Sequence, residues 1–203
     1  MDLKEPQEGR AGVARIEAFS DGVLAIIITI MVLELKAPED TDLEALWRLW
    51  PTFLAYVLSY IYVAIYWVNH HRLFSHARVV TSGLLWSNIG LLFAISLVPF
   101  STAYLGEHHF GRDASLIYLV SLLLPSLAYA ILQATIMRSG YCDAAALRYL
   151  TATQRKGLAA TAVYLCGIGL TFLDPWLGIA CAALVALPFS RLDALFLPEE
   201  YGN

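Results

Sequence analysis

The sequence predicts an all-α, polytopic membrane protein, and three observations carry that expectation. Hydrophobic residues fill 59% of the 203 positions, charged residues only 15%, and mean hydropathy is positive. An ordinary soluble domain is about half apolar and about one-quarter charged. The charges cluster between apolar runs, and six of these runs come close to the roughly twenty residues that cross a bilayer as a helix. They cover approximately 15–36, 45–70, 81–105, 114–137, 157–173 and 175–195, and are expected to form one transmembrane domain without internal repeats.

The first run opens on Arg15-Ile16-Glu17-Ala18-Phe19-Ser20-Asp21 and passes into Gly22–Leu33, apolar except for Thr29. A carboxylate at membrane depth costs several kcal/mol, so Asp21 belongs in a protein interior or a watery cavity. Ile26, Thr29, Ile30 and Leu33 recur at spacings of three and four and share one face. Such a stripe can line a narrow pore where several copies of the helix converge, and it can equally be a helix-packing face. A transmembrane threonine also bonds back to its own backbone. Glu34 and Lys36 end the run; carboxylates there favour cations, and snorkelling to the interface accounts for both residues as well. The acidic segment Ala37-Pro38-Glu39-Asp40-Thr41-Asp42-Leu43-Glu44 reads either as a cation-concentrating vestibule or as a solvated loop with a helix cap at Thr41 or Asp42.

The second run carries Trp47 and Trp50 near one end and Tyr66 and Trp67 near the other, as suits two headgroup interfaces. If it runs antiparallel to the first, His70 and His71 arrive at the depth of Asp21, and the third run brings Trp86, Ser87 and Asn88 close by. Arg15 and Asp21 are six apart and do not share a helix face, so each looks to another helix for a partner. A network of Arg15, Ser20, Asp21, His70 or His71, Trp86 and Asn88 is therefore expected. It reads as polar glue between helices, or as a gate, because histidine titrates near neutral pH.

Pro99, Pro125 and Pro188 fall inside runs, where each removes a backbone bond and can kink its helix. Leu173-Asp174-Pro175-Trp176 makes a tight turn between the last two runs. His108 and His109, with Glu107 and Asp113 nearby, match no metal-ligand spacing and read as a solvated loop. Cys142, Cys166 and Cys181 lack the spacing of a zinc site, and a disulfide framework is not expected. Met1–Gln7 is polar and has no signal-peptide core. The tail Leu197–Asn203 is too short for a regulatory domain. With the N-terminus inside, ten of the thirteen Lys and Arg residues fall on the cytoplasmic side and three outside, so both termini are expected to be cytoplasmic. A net charge of −4 offers no basic patch for nucleic acid.

Arg15-x-x-x-Phe19-Ser20-Asp21 at the start of a first transmembrane helix resembles the hallmark of the transmembrane protein 175 family, potassium-permeable channels of lysosomes and prokaryotes. Trp67-Val68-Asn69-His70-His71-Arg72-Leu73-Phe74, Trp86-Ser87-Asn88 and Val98-Pro99-Phe100-Ser101-Thr102 are similar to the family in the same order. The resemblance covers roughly residues 12 to 105. It implies potassium as the permeant ion, no cofactor, and a site in the lipid bilayer of a prokaryotic cell membrane. Some members contain two fused six-helix repeats; this chain has one set, so fourfold lining by helix one requires a homotetramer. The family's hydrophobic constriction begins five residues after the motif aspartate, which is Ile26 here, with Thr29, Ile30 and Leu33 continuing the face. No Thr-Val-Gly-Tyr-Gly element is present, so a carbonyl cage is not the filter.

A secondary transporter is the alternative. Such proteins bind substrate near the midplane at broken helices with intramembrane charges, and the deep parts of these runs lack both. An intramembrane enzyme built on Asp21 with a histidine lacks a placed second acid or nucleophile.

Overall fold

The computed structural model describes residues 5–39 and 41–195, with side chains from 9 to 186. Lys4 and Arg191 of the charge count, Asp40 of the acidic segment, the Pro188 ring, the first four residues and the tail Leu197–Asn203 therefore lie outside what is described. Among the described residues eight helices follow one another: α1 (Glu5–Leu33), α2 (Leu43–Arg48), α3 (Trp50–Phe74), α4 (Ser82–Ser96), α5 (Val98–Glu107), α6 (Arg112–Arg138), α7 (Ala144–Thr171) and α8 (Pro175–Leu195). Among the described residues there is no strand. Within the described residues four stretches are long and apolar enough to cross a membrane: Gly9–Leu33, Trp50–Phe74, Ser82–Glu107 and Arg112–Arg138. The runs expected at 157–173 and 175–195 are helical, as parts of α7 and α8, but stand outside that class.

Helix ends differ from the apolar runs for identifiable reasons. α1 begins about ten residues earlier than expected, and its Gly12 lies so close to the α3–α4 loop that a Cβ would sit 2.8 Å from Val80 Cγ2. The run at 45–70 is divided. Asp42 caps α2 by accepting from Ala45 N at 2.7 Å, and Pro51 opens α3, where a missing N–H does no harm. The run at 81–105 breaks at Leu97. Pro99 cannot donate to Ile95, and its ring crowds the carbonyl there, so the chain ends α4 and restarts as α5. Pro125 stays within a continuous α6. α7 begins thirteen residues before its apolar part because Asp143 caps it, accepting from Ala146 N at 2.7 Å. That bond lowers the Asp143 carboxyl below its usual range.

α6 is central, packing on α4, α5, α7 and α8, while α3 packs on α1, α5 and α8. One buried cluster gathers Leu24, Ile27, Met31, Leu73, Leu91 and Ile95, and a second gathers Ala55, Tyr62, Leu105, Tyr118, Leu122 and Tyr164. Lipid tails are as apolar as these side chains, so close packing and interhelical hydrogen bonds have to hold the helices together. Ser101 meets Ser121 at 2.6 Å, Ser126 meets Thr161 at 2.7 Å, and Thr102 Oγ1 lies 2.7 Å from Ser59 Oγ. Ser101 and Thr102, noted above only as part of a motif, are thus buried glue. α7 and α8 approach through glycine: a Cβ on Gly178 would fall 3.0 Å from Gly167 O. Between α5 and α6, His109 and Phe110 both have positive φ, 48° and 59°. Phe110 is held there by its ring, which clusters with Trp50 at 6.1 Å and Trp176 at 4.8 Å, the two indoles themselves lying 6.1 Å apart. His108 donates to Tyr104 O at 2.9 Å, and among the described residues no three of His, Cys, Asp and Glu gather as a metal site would need.

Candidate pore helix and its anchoring network

α1 has two apolar faces. Val13, Leu24, Ile27 and Met31 are buried against α3, α4 and α5, with Ser20 on the same side. On the other side Phe19, Ile26, Ile30 and Leu33 are 61, 58, 42 and 76% exposed. Thr29 belongs to the exposed face, and Gly22, one turn before Ile26, faces open space. The exposed stripe therefore runs the length of the membrane-crossing segment with none of the described residues upon it, except where Ile26 and Ile30 border a groove against Pro99 and Phe100 of α5.

Thr29 Oγ1 donates to Ile26 O at 2.8 Å. That uses the hydroxyl hydrogen and leaves oxygen lone pairs directed away from the backbone. A hydroxyl accepts as well as donates, so this threonine can offer oxygen to a cation without losing its intrahelical bond. At the far end of α1, Lys36 reaches Glu107 of α5 at 3.8 Å; both are exposed, and such a pair contributes little. Glu34 is half-buried and lines the end of the α1–α5 groove near Glu107.

The polar residues form two separate groups. The first is a buried chain. His70 Nε2 donates to Asn88 Oδ1 at 2.8 Å, Asn88 Nδ2 donates to Ser20 Oγ at 2.9 Å, and Ser20 Oγ donates to Ile16 O at 2.9 Å. The carboxamide oxygen can only accept, which fixes the hydrogen on Nε2 of the imidazole. Nδ1 is buried and meets no hydrogen-bond partner among the described residues, and the ring stacks on Phe74 at 4.2 Å. Ser20, His70 and Asn88 are 0, 1 and 1% exposed. The bonds run in one direction from α3 through α4 to α1, and each hydrogen has one acceptor.

The second group lies nearer the surface. Trp67 Nε1 donates to Asp21 Oδ1 at 2.9 Å, and His71 Nδ1 meets Glu17 Oε1 at 2.7 Å. One turn forward along α1 matches one turn back along α3, as antiparallel helices in register require. Arg15 is exposed and joins neither group, and Trp86 is 72% exposed and also stays apart. Glu17 and Trp67 were not among the expected members. Their signal was available: Glu17 and Asp21 are four apart on α1, and Trp67 and His71 are four apart on α3.

Comparison with known proteins places this arrangement. A family model described as the endosomal/lysosomal potassium channel TMEM175 matches residues 15–99, the segment that holds both polar groups and the exposed stripe. A potassium channel of Chryseobacterium sp. is 43% identical over 175 residues, covering 85% of this chain and 90% of that protein. A potassium channel of Streptomyces collinus is 34% identical, covering 85% and 89%. The human endosomal/lysosomal proton channel TMEM175 is 37% identical over 109 residues, which are 48% of this chain but 20% of the human one. The crystal structure of a lysosomal potassium-selective channel TMEM175 homologue from Chamaesiphon minutus superposes with a TM-score of 0.80 at 31% identity, covering 89% of this chain and 97% of that one. With its long apolar helices and these full-length relatives, the chain is a multi-pass membrane protein, and it belongs to the TMEM175 family.

Proposed function

We infer that this protein is a potassium channel in which four identical chains bring α1 together around one axis. The observation that carries the reading is the exposed stripe of Ile26, Ile30 and Leu33 on a helix whose opposite face is already buried. A second apolar face needs lipid or a partner, and cyclic symmetry presents the same face of every copy to a common centre. The names of the bacterial relatives and of the Chamaesiphon minutus structure point to potassium as the ion.

In this assembly the isoleucine rings exclude water when narrow and strip part of the ion's hydration when wider. Potassium holds its water less tightly than sodium, so partial dehydration favours it. Four Thr29 oxygens then replace some of the lost contacts. The buried chain of His70, Asn88 and Ser20 fixes the rotation of α1, and with it which residues face the axis. Six membrane crossings in one domain, both termini in the cytoplasm and a prokaryotic cell membrane complete the reading, supported by the ten-to-three division of Lys and Arg.

The test pairs two measurements. Light scattering of the solubilised protein is expected to give four chains of 22.4 kDa each. Bilayer recordings with potassium and sodium on opposite sides are expected to show a reversal potential displaced toward potassium. A monomer, or saturating uptake without single-channel currents, would remove the proposal in favour of a transporter. Thr29→Val keeps shape and removes the oxygen; it is expected to reduce potassium current while leaving tetramer yield unchanged, as read from recordings and gel filtration.

A further inference from the structure

The groove between α1 and α5 holds about 640 Å³. α1 lines it from Val23 to Glu34, and the opposite wall runs from Ser96 to Glu107, the same number of residues on each side. At about 1.5 Å per residue that is roughly 16 Å, the length of a long extended alkyl chain. Both walls are apolar between their ends, with Val23, Ile27 and Ile30 facing Pro99, Phe100 and Ala103.

The two ends differ in kind. At the Val23 end the Ser96 hydroxyl is spent on Phe93 O at 2.7 Å. At the other end stand two carboxylates, Glu34 and Glu107, and one cation near them, Lys36. Lys36 answers Glu107 at 3.8 Å, and these three side chains leave one negative charge in excess. The half-buried Glu34 carboxylate has no hydrogen bond or ion pair among the described residues. Tyr104, one turn before Glu107, lines the same wall, and its hydroxyl is likewise unbonded among the described residues. An ionised carboxylate only accepts hydrogen bonds and a phenol oxygen accepts as well, so this end calls for a positively charged donor. An anionic head is repelled there, and an uncharged one leaves Glu34 unanswered.

We propose that the groove binds a single-chain alkylammonium ion, its chain between α1 and α5 and its ammonium on Glu34. Charge-assisted hydrogen bonds to the carboxylate set the orientation, and the apolar walls supply most of the contact. Ile26 and Ile30 on the rim are shared with the proposed constriction, so the bound chain lies beside the ion path. Binding itself does not depend on conduction and is read without recording current.

The probe is a twelve-carbon primary amine carrying a diazirine midway along its chain. It is added to the protein in phosphatidylcholine nanodiscs, irradiated, and mapped by peptide mass spectrometry. Label is expected on α1 between Val23 and Ile30 and on α5 between Pro99 and Tyr104, and to saturate. Dodecylamine is expected to displace it, dodecanol to do so about tenfold less well, and ethylamine not at all. Glu34→Gln is expected to weaken displacement by dodecylamine about tenfold, as fits the loss of one charge-assisted contact, and to leave dodecanol unchanged. Ala103→Phe fills the groove from α5 and is expected to abolish the label, with melting curves showing the variant folded. Val23→Phe fills it from α1 and repeats the test if Ala103→Phe does not fold. Label spread evenly over all lipid-facing helices, equal displacement by dodecylamine and dodecanol, or full labelling of a folded groove-filled variant would each overturn the proposal. A chain that labels as expected but does not conduct would remove the channel reading and leave this site standing; one that conducts without labelling would remove the site alone.

Discussion

Ile26→Ala is expected to raise single-channel conductance roughly tenfold, which corresponds to a barrier lower by about 1.4 kcal/mol. Ile26 is 58% exposed on the side of α1 that the described residues leave uncovered. In the proposed tetramer each substitution is repeated four times around the axis, so four branched side chains leave the constriction together. The space gained lets ions keep more of their water, and dehydration is the step that separates potassium from sodium. Reversal potentials under opposed potassium and sodium are accordingly expected to move toward zero. Channels that conduct but keep the wild-type preference would show that the filter lies elsewhere. Tetramer yield should change little, because Ile26 belongs to neither buried cluster.

Asn88→Leu is expected to cause the largest loss of stability of any single polar substitution near α1. The leucine has similar volume but leaves His70 Nε2–H without an acceptor and Ser20 Oγ without its donor, both in fully buried space. Interhelical hydrogen bonds in membranes average only about 0.6 kcal/mol. Here two linked bonds fail at once and strand a buried donor, so about 2–3 kcal/mol is the better figure. Thermal unfolding of the solubilised protein, monitored by loss of the assembled form, reads this directly. Asp21→Ala should cost less, about 0.5–1.5 kcal/mol, because it breaks one bond to Trp67 near the surface. From the motif alone, Asp21 would be ranked first. The structure reverses the order because the buried chain passes through Ser20 and leaves Asp21 at its edge. A smaller effect for Asn88→Leu than for Asp21→Ala would contradict the assigned roles.

Much of the architecture is legible from apolar length, because a bilayer demands about twenty residues per crossing. Helix ends are less so. Hydropathy registers where charges begin, but α7 extends through Arg148, Arg155 and Lys156 to a cap at Asp143, since outside the bilayer a helix needs capping and not greasiness. The break at Leu97 is signalled by Pro99, yet Pro125 in α6 causes none, so proline alone does not decide. The orientation of α1 is the hardest reading. Leu24, Ile27 and Met31 face inward and Ile26, Ile30 and Leu33 face outward, and the two sets are of the same chemical kind. Periodicity finds an amphipathic face only where the two sides differ. The polar cluster was readable in its helices but not in its pairs: Trp86 looks like a member by position and is turned outward, while Glu17 and Trp67 are partners that only antiparallel register reveals.

The exposed face of α1 can be tested at Ile26 itself. With Cys142, Cys166 and Cys181 replaced, Ile26→Cys channels are exposed to a charged, water-soluble methanethiosulfonate reagent during recording. A residue at the narrow part of an aqueous pore predicts progressive block that persists after washout and is reversed by a reducing agent, and no effect on the cysteine-free parent. Current that persists unchanged, while the same cysteine reacts readily with a lipid-soluble maleimide, would place Ile26 against the bilayer and contradict a pore lined by α1.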